Sequence, residues 1–393
     1  LEGNGAAPAG GRPAAIVQHG LGSQKEAGFL AANTLTGAYE ATVQYANGVD
    51  FASGDRVTVL MDLPFHGSRA SDLTRNVGGN EIPCVDTSST GLPNIDPGNV
   101  TCDPQTGVCS GGCDDVQDSS GTGFLSTNVF GARDNFRQSL IDHLTLLYTL
   151  QQEGQAGGVL DGVIDGSDVG YIGQSLGGIT GGNLAAVAPD NLKTAVLNVA
   201  GGSLVTILLN TVPQISAGLF VSLNAAGVCE YNEPGNPISG CQDTPAFRQF
   251  LLTAQWALDP GDPLATSEGV NANFGPDNVL MQMVVPDPVV TNQSSVFLAG
   301  AYGFLPPENN PRADHFNVYD MSALPAANTG SGCHGFMLTP FGAAGACGEC
   351  FTDALCNTTG AQLQALSFLE SDGQTIPSTK PDALNPLLQC TCQ

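Results

Sequence analysis

The chain runs to 393 residues with 41% hydrophobic and only 12% charged side chains, enough to bury a sizeable core, while 51 glycines and 25 prolines put much of it in turns and loops. Thirty-seven acidic residues against 11 lysines and arginines give a formal charge of -26, which repels a phosphate backbone and excludes nucleic acid as a partner. The 12 cysteines fall in local groups (84, 102, 109 and 113; 229 and 241; 333, 347, 350 and 356; 390 and 392). Such groups read as disulfide-clamped loops of an oxidising compartment; zinc at Cys347, Cys350 and Cys356 is the rival reading.

No basic, apolar leader opens the chain, so a secretion signal is expected to have been removed and the protein to be extracellular or periplasmic. The first strand is expected at 14–17, followed by the loop Gln18-His19-Gly20-Leu21-Gly22 and a helical pattern over 26–45. A second strand at 57–61 leads into the Cys-rich insert 72–128. Over 132–150, Phe136, Leu140, Ile141, Leu144 and Leu147 recur at helical spacing. Strands at 169–172 and 195–199 flank a helix over 176–187.

The segment 203–274 reads as a cap or lid, because structureless stretches of that length are rare inside a domain. Its start is uncharged but broken by Asn210, Pro213, Gln214 and Asn224, so no transmembrane segment is expected. A strand at 279–285, a helix at 294–302 and a strand at 316–319 follow; a Cys-rich extension, 342–393, carries one helix at 361–370. Alternating strands and helices predict one α/β domain over 1–393, a mostly parallel sheet covered by helices on both faces.

Within this rhythm Gly173-Gln174-Ser175-Leu176-Gly177 joins a strand to a helix. Glycines two residues either side let strand and helix pass closely, leaving Ser175 exposed at the strand's carboxyl end with a helix amino terminus behind it. A nucleophilic serine needs a base and the base needs an orienting carboxylate. His334, in a loop of small residues after the last strand, is the candidate base, with His315 as rival. Asp287, between two prolines at the end of a strand, is the candidate acid, with Asp259, Asp262 and Asp314 in reserve. The backbone N–H groups of Leu176 and Leu21 are the candidate oxyanion donors. Leu208 and Phe220 in the cap and Phe65 after the second strand are the candidate substrate contacts.

No cofactor is expected. Asp161, Asp165 and Asp168 hint at a calcium loop, although their spacing departs from the EF-hand and a solvated turn explains them as well. Asn292-Gln293-Ser294 fits a glycosylation sequon.

The motifs IVQHGLG, VLMDLPFHGSR, GQSLGG, PDPVV and CHGF, in the order Ser, Asp, His, resemble the α/β-hydrolase superfamily, and within it secreted bacterial lipases and esterases. DNFRQSLIDH with DGVIDGSDVGYIGQSLGG looks like the large Gram-negative virulence-factor lipases. The resemblance implies an acyl-enzyme mechanism on ester or lipid substrates, with Ser175, Asp287 and His334 as the triad. It also implies one or two strands before the first one visible here: either the chain is the C-terminal part of a longer precursor with a further N-terminal domain, or its sheet begins later than is usual in the family. A polyester depolymerase uses the same chemistry; a hydrolase-fold adhesion module without activity is the reading from another class.

Overall fold

The computed structural model describes residues 8–29, 31–32, 55–69, 74–77, 80–83, 101–102, 109–110, 121, 124–125, 128–187, 189–212, 216, 219–220, 223–229, 244–305, 310–322, 332–338 and 351–377. Alternate residues of β1 (Arg12–Gln18) enter different cores: Ala14 and Ile16 pack on one side of the sheet, Ala15 and Val17 on the other, all four buried. A strand apolar on both faces needs cover on both, which a parallel sheet with helical crossovers supplies. The sheet has six strands, β1 with β2 (Val57–Leu60), β3 (Ile164–Gln174), β4 (Leu192–Asn198), β5 (Val279–Val285) and β6 (Phe316–Asp320), in the order β6-β5-β4-β3-β1-β2. Every pairing in it is parallel.

Helix α1 (Val129–Glu153) starts where the Asn128 side chain accepts the Gly131 N–H at 3.2 Å, and it buries Ala132, Phe136, Ser139, His143, Leu147 and Leu150 on one stripe. With α2 (Leu176–Val187) and α5 (Asn292–Ala301) it covers one face of the sheet. Helix α6 (Phe351–Glu370) covers the other through Ala361, Ala365, Leu366, Phe368 and Leu369. Arg56 ties these parts together from a buried position: it donates to Glu370 at 2.9 Å, Asp168 at 3.1 Å and the carbonyls of Ala14 and Leu369. Above the carboxyl ends of the strands lie α3 (Leu204–Asn210) and α4 (Pro245–Leu258), whose Leu204, Ile207, Ala254 and Leu258 pack on Leu176, Ile179 and Phe136.

All six strands expected from the sequence are present, with α1, α2 and α5 where the spacing put them. Strand β3 begins at Ile164, before its apolar run, because a register shift between Pro13 and Ala14 lets the chain from Ile164 to Val169 bulge while still pairing with β1. Most of the helix expected over 26–45 and of the insert 72–128 lies outside the described residues; within the insert Thr74–Val77 pairs with Asn80–Pro83, and Thr101–Cys102 with Cys109–Ser110. Cys229 and Cys333 are not free thiols; the other cysteine side chains, including the zinc candidates, lie outside the described residues. Among the described residues no helix is long and apolar enough to cross a membrane.

Candidate active site

Ser175 sits between the last residue of β3 and the first of α2 with φ 57°, a left-handed backbone that a serine adopts only when its surroundings impose it. Its N–H is held by the Asn198 carbonyl at 2.9 Å. The neighbouring glycines are a packing requirement: a Cβ at Gly173 would collide with the Gly177 carbonyl, and one at Gly177 with the carbonyl oxygens of Gln18 and His19. The loop after β1 therefore rests directly on the start of α2.

The imidazole of His334 lies over the serine, its Nε2 2.7 Å from Ser175 Oγ. Its Nδ1 faces both carboxylate oxygens of Asp287, at 2.9 and 2.8 Å. Asp287 is itself fixed: Oδ1 accepts the N–H groups of Val289 (2.9 Å) and Val290 (3.0 Å), and its own N–H donates to Asn292 Oδ1 at 3.1 Å. Three segments 112 and 47 residues apart in sequence thus converge at one point, all three side chains buried. The rivals are engaged elsewhere. His315 Nδ1 bonds the Val279 carbonyl at 2.8 Å between the rings of Phe304 and Phe368. Asp262 accepts the N–H groups of Ser203, Leu204 and Leu264, and Asp259 accepts from Gln255.

Leu21 and Leu176, the oxyanion candidates, both border the same cavity as Ser175. Leu176 is the first residue of α2, so its N–H has no carbonyl partner one turn back, whereas Ile179 already donates to the Ser175 carbonyl. On the opposite side Gly20 abuts the serine: a Cβ there would stand 2.9 Å from Ser175 Cβ and 2.5 Å from Gln174 Oε1. His19 holds this loop. Its Nδ1–H donates to the Gly20 carbonyl at 2.8 Å while Nε2 accepts the Leu63 N–H at 3.2 Å, so it is a neutral structural ring, and burial lowers its pKa. Asp62 pins the same loop to the one after β2, accepting from Lys25 N (2.8 Å), Lys25 Nζ (2.7 Å), Ser68 N (2.9 Å) and Ser68 Oγ (2.7 Å). Burial alone would raise the Asp62 pKa; the bonds from Lys25 and Ser68 outweigh it and hold the carboxyl well below the usual carboxylate range.

Beside Ser175 lies a cavity of about 40 Å³, lined by aliphatic and aromatic side chains except for Ser175 and Thr211. Leu21, Leu176 and Leu208 all border it. Phe220 does not: it is fully buried in a separate cluster with Leu223, Cys229 and Phe247. Phe65 does not border it either; it occupies a tight turn with φ 65°, its carbonyl held by the Gly121 N–H at 3.0 Å.

The three aspartates of the supposed calcium loop are drawn to separate partners. Asp161 accepts the Gly157 N–H, Asp165 the N–H and hydroxyl of Ser167, and Asp168 pairs with Arg56. Among the described residues no group of three or more His, Cys, Asp or Glu side chains could hold a metal ion.

Two residues that sequence reading missed bear on the site. Gln174 Nε2 donates to the His334 carbonyl at 3.2 Å, fastening the histidine loop to the end of β3. Asn292, read as a sequon, spends its amide on the Val284 carbonyl (2.6 Å) and on Asp287. Adjacency to the serine was the only available signal for Gln174, and nothing in the sequence marked Asn292.

No family model and no curated protein matches the chain. Among solved structures it is similar to a hydrolase from Pseudomonas aeruginosa PA01 (12% identity, 79% of this chain and 82% of that one, TM-score 0.30). It is similar also to a lipase-esterase related protein from Clostridium acetobutylicum ATCC 824 (11% identity, 85% and 92%, TM-score 0.33). A third is the peroxisomal alpha-beta-hydrolase Lpx1 from Saccharomyces cerevisiae (13% identity, 80% and 71%, TM-score 0.29). At such TM-scores the likeness is distant, and the α/β architecture is defined by the chain's own strand order.

Proposed function

We propose that the chain is a serine carboxylic-ester hydrolase of the α/β-hydrolase type, working through an acyl-enzyme. The observation that carries this reading is the continuous contact from Ser175 Oγ through the His334 ring to Asp287, set at the edge of an apolar cavity. Ser175 Oγ attacks the ester carbonyl carbon as its proton passes to His334 Nε2, and the negative charge on the carbonyl oxygen falls to the N–H groups of Leu21 and Leu176. The carbon–alkoxy bond then breaks and His334 returns the proton to the departing alcohol. A water, deprotonated by the same imidazole, cleaves the acyl-serine and restores Ser175 with release of the carboxylic acid. Asp287 keeps the ring in the tautomer that leaves Nε2 free to accept, and offsets the imidazolium charge.

At about 40 Å³ the cavity is well below the roughly 300–1,000 Å³ of ordinary ligand pockets. Short acyl chains are therefore the favoured substrates, an esterase rather than a lipase profile. Initial rates on p-nitrophenyl esters from C2 to C16 test both points: the expected outcome is hydrolysis with the highest kcat/KM at the short end, abolished in Ser175→Ala. No hydrolysis at any length would leave the adhesion-module reading. The local grouping of the cysteines supports secretion into an oxidising compartment.

A further inference from the structure

Two ties that no step of the mechanism uses run from α6 to the loop that carries His334. That loop, 332–338, is a run of tight turns in which the Cys333 carbonyl accepts the Phe336 N–H and the Gly335 carbonyl the Leu338 N–H, both at 3.0 Å. Turns leave backbone carbonyls over, and side chains of other elements take three of them. Gln174 holds the carbonyl of His334 itself. The Thr358 hydroxyl donates to the Phe336 carbonyl at 2.6 Å, and the Gln362 amide donates to the Met337 carbonyl at 2.8 Å. Thr358 and Gln362 stand one helical turn apart on α6, so their donors meet the loop side by side. Thr358, Phe336 and Met337 are buried, where water does not replace a lost bond.

The same helix reaches the nucleophile through a second set of buried amides. Gln282 on β5 donates to the Ala361 carbonyl and to Gln364 Oε1, and its own Oε1 accepts from the Asn198 amide, each at 3.0 Å. The Asn198 carbonyl in turn holds the Ser175 N–H at 2.9 Å. Helix α6 is thus fastened to the serine by one route and to the histidine by another. We propose that Thr358 and Gln362 are positioning residues, which hold the His334 loop where Nε2 stands within hydrogen-bond reach of Ser175 Oγ. This rests on the ester-hydrolase reading above. The 2.7 Å contact between the two atoms tolerates little drift, since a misplacement of about 1 Å costs up to roughly a hundredfold in rate. Neither residue borders the cavity; both act through His334.

The test measures kcat and KM on p-nitrophenyl acetate, and the rate at which a fluorophosphonate labels Ser175, in the full chain and in Thr358→Val, Thr358→Ser and Gln362→Leu. Labelling is repeated with Thr358→Val and Gln362→Leu added to His334→Ala, and all rates are referred to protein shown to be folded by circular dichroism. Expected is a fall of about tenfold in kcat and in labelling rate for Thr358→Val and Gln362→Leu, with KM little changed and activity restored in Thr358→Ser. In the His334→Ala background neither substitution should slow labelling further, because the residue through which they act is gone. A merely structural role lowers the urea midpoint and leaves these rates at the wild-type level, which overturns the proposal. So does an equal fall without His334, since it does not pass through the imidazole. Should Thr358→Val fail to fold, Gln362→Leu carries the same test from a side chain that is only partly buried. A wild type that neither turns over the ester nor takes up the fluorophosphonate fails the ester-hydrolase reading itself, and the proposal with it.

Discussion

Ser175, His334 and Asp287 are each held by more than one bond, and the holding groups differ in what their loss should do. Ser175→Ala or His334→Ala removes the nucleophile or its base and is expected to lower kcat roughly 10⁴- to 10⁶-fold, with Asp287→Ala at the lower end of that range, measured on a short p-nitrophenyl ester. Asn292→Leu leaves all three in place but frees the Asp287 N–H and the Val284 carbonyl, so the turn that carries the carboxylate loses two of its ties. A drop in kcat of about tenfold with little change in KM is expected, because substrate binding does not touch it. The serine was legible from five residues of sequence, since the constraint on its backbone is local: glycine is required wherever neighbouring backbone comes too close for a Cβ. Asn292 was not, because a side-chain amide serving the backbone N–H of a residue five positions earlier looks the same in sequence as one exposed on a loop.

At the scale of elements, the cavity depends on α3, and α3 depends on Asp262. Ser203 precedes this helix with φ 61°, and the two oxygens of Asp262 collect the N–H groups of Ser203, Leu204 and Leu264 and the Gln255 amide. Asp262→Ala strands these buried donors and is expected to cost about 2–3 kcal/mol in urea unfolding and to raise KM, since Leu204, Ile207 and Leu208 lose their anchor. Arg56 plays the corresponding part beneath the sheet. Arg56→Met leaves the carboxylate of Glu370 without its buried partner and is expected to cost about 3 kcal/mol in the same assay, with catalysis at low denaturant little changed. The strands were readable because two-sided burial writes short apolar runs into the sequence. The segment 203–274 was only half readable: Phe220 looked like a pocket residue, and its actual neighbour Phe247 comes from a helix 25 residues further on, at a ring separation of 6.5 Å. No local pattern encodes which of two apolar surfaces a phenylalanine will choose.

Over the whole molecule, stability should track the buried histidines. His143 lies on the buried stripe of α1, its Nδ1–H donated to the Ser139 carbonyl at 2.7 Å, and burial lowers its pKa to about 4. In the unfolded chain it titrates near 6.5. Above pH 6.5 neither state binds the proton; between about 6.5 and 4 only the unfolded chain does, so stability is present at neutral pH and drains away as pH falls through that window. The loss is on the order of 3 kcal/mol, and His19, also lowered by burial, adds to it with the same sign. Asp62 stays ionised throughout the window, because its folded pKa lies below the usual range and its contribution is lost only in stronger acid. Urea midpoints at pH 7.5 and 4.5 should show this fall, and His143→Gln should flatten it; a midpoint independent of pH would contradict it.

The most direct measurement is the intact mass of the protein after exposure to a fluorophosphonate, with the modified peptide sequenced. One adduct on Ser175, formed rapidly in the wild type and slowed at least a hundredfold in His334→Ala, is the result that a base-activated serine requires. A wild type that takes up no adduct, or one that labels equally fast without His334, would contradict the assignment of Ser175 as nucleophile and His334 as its base.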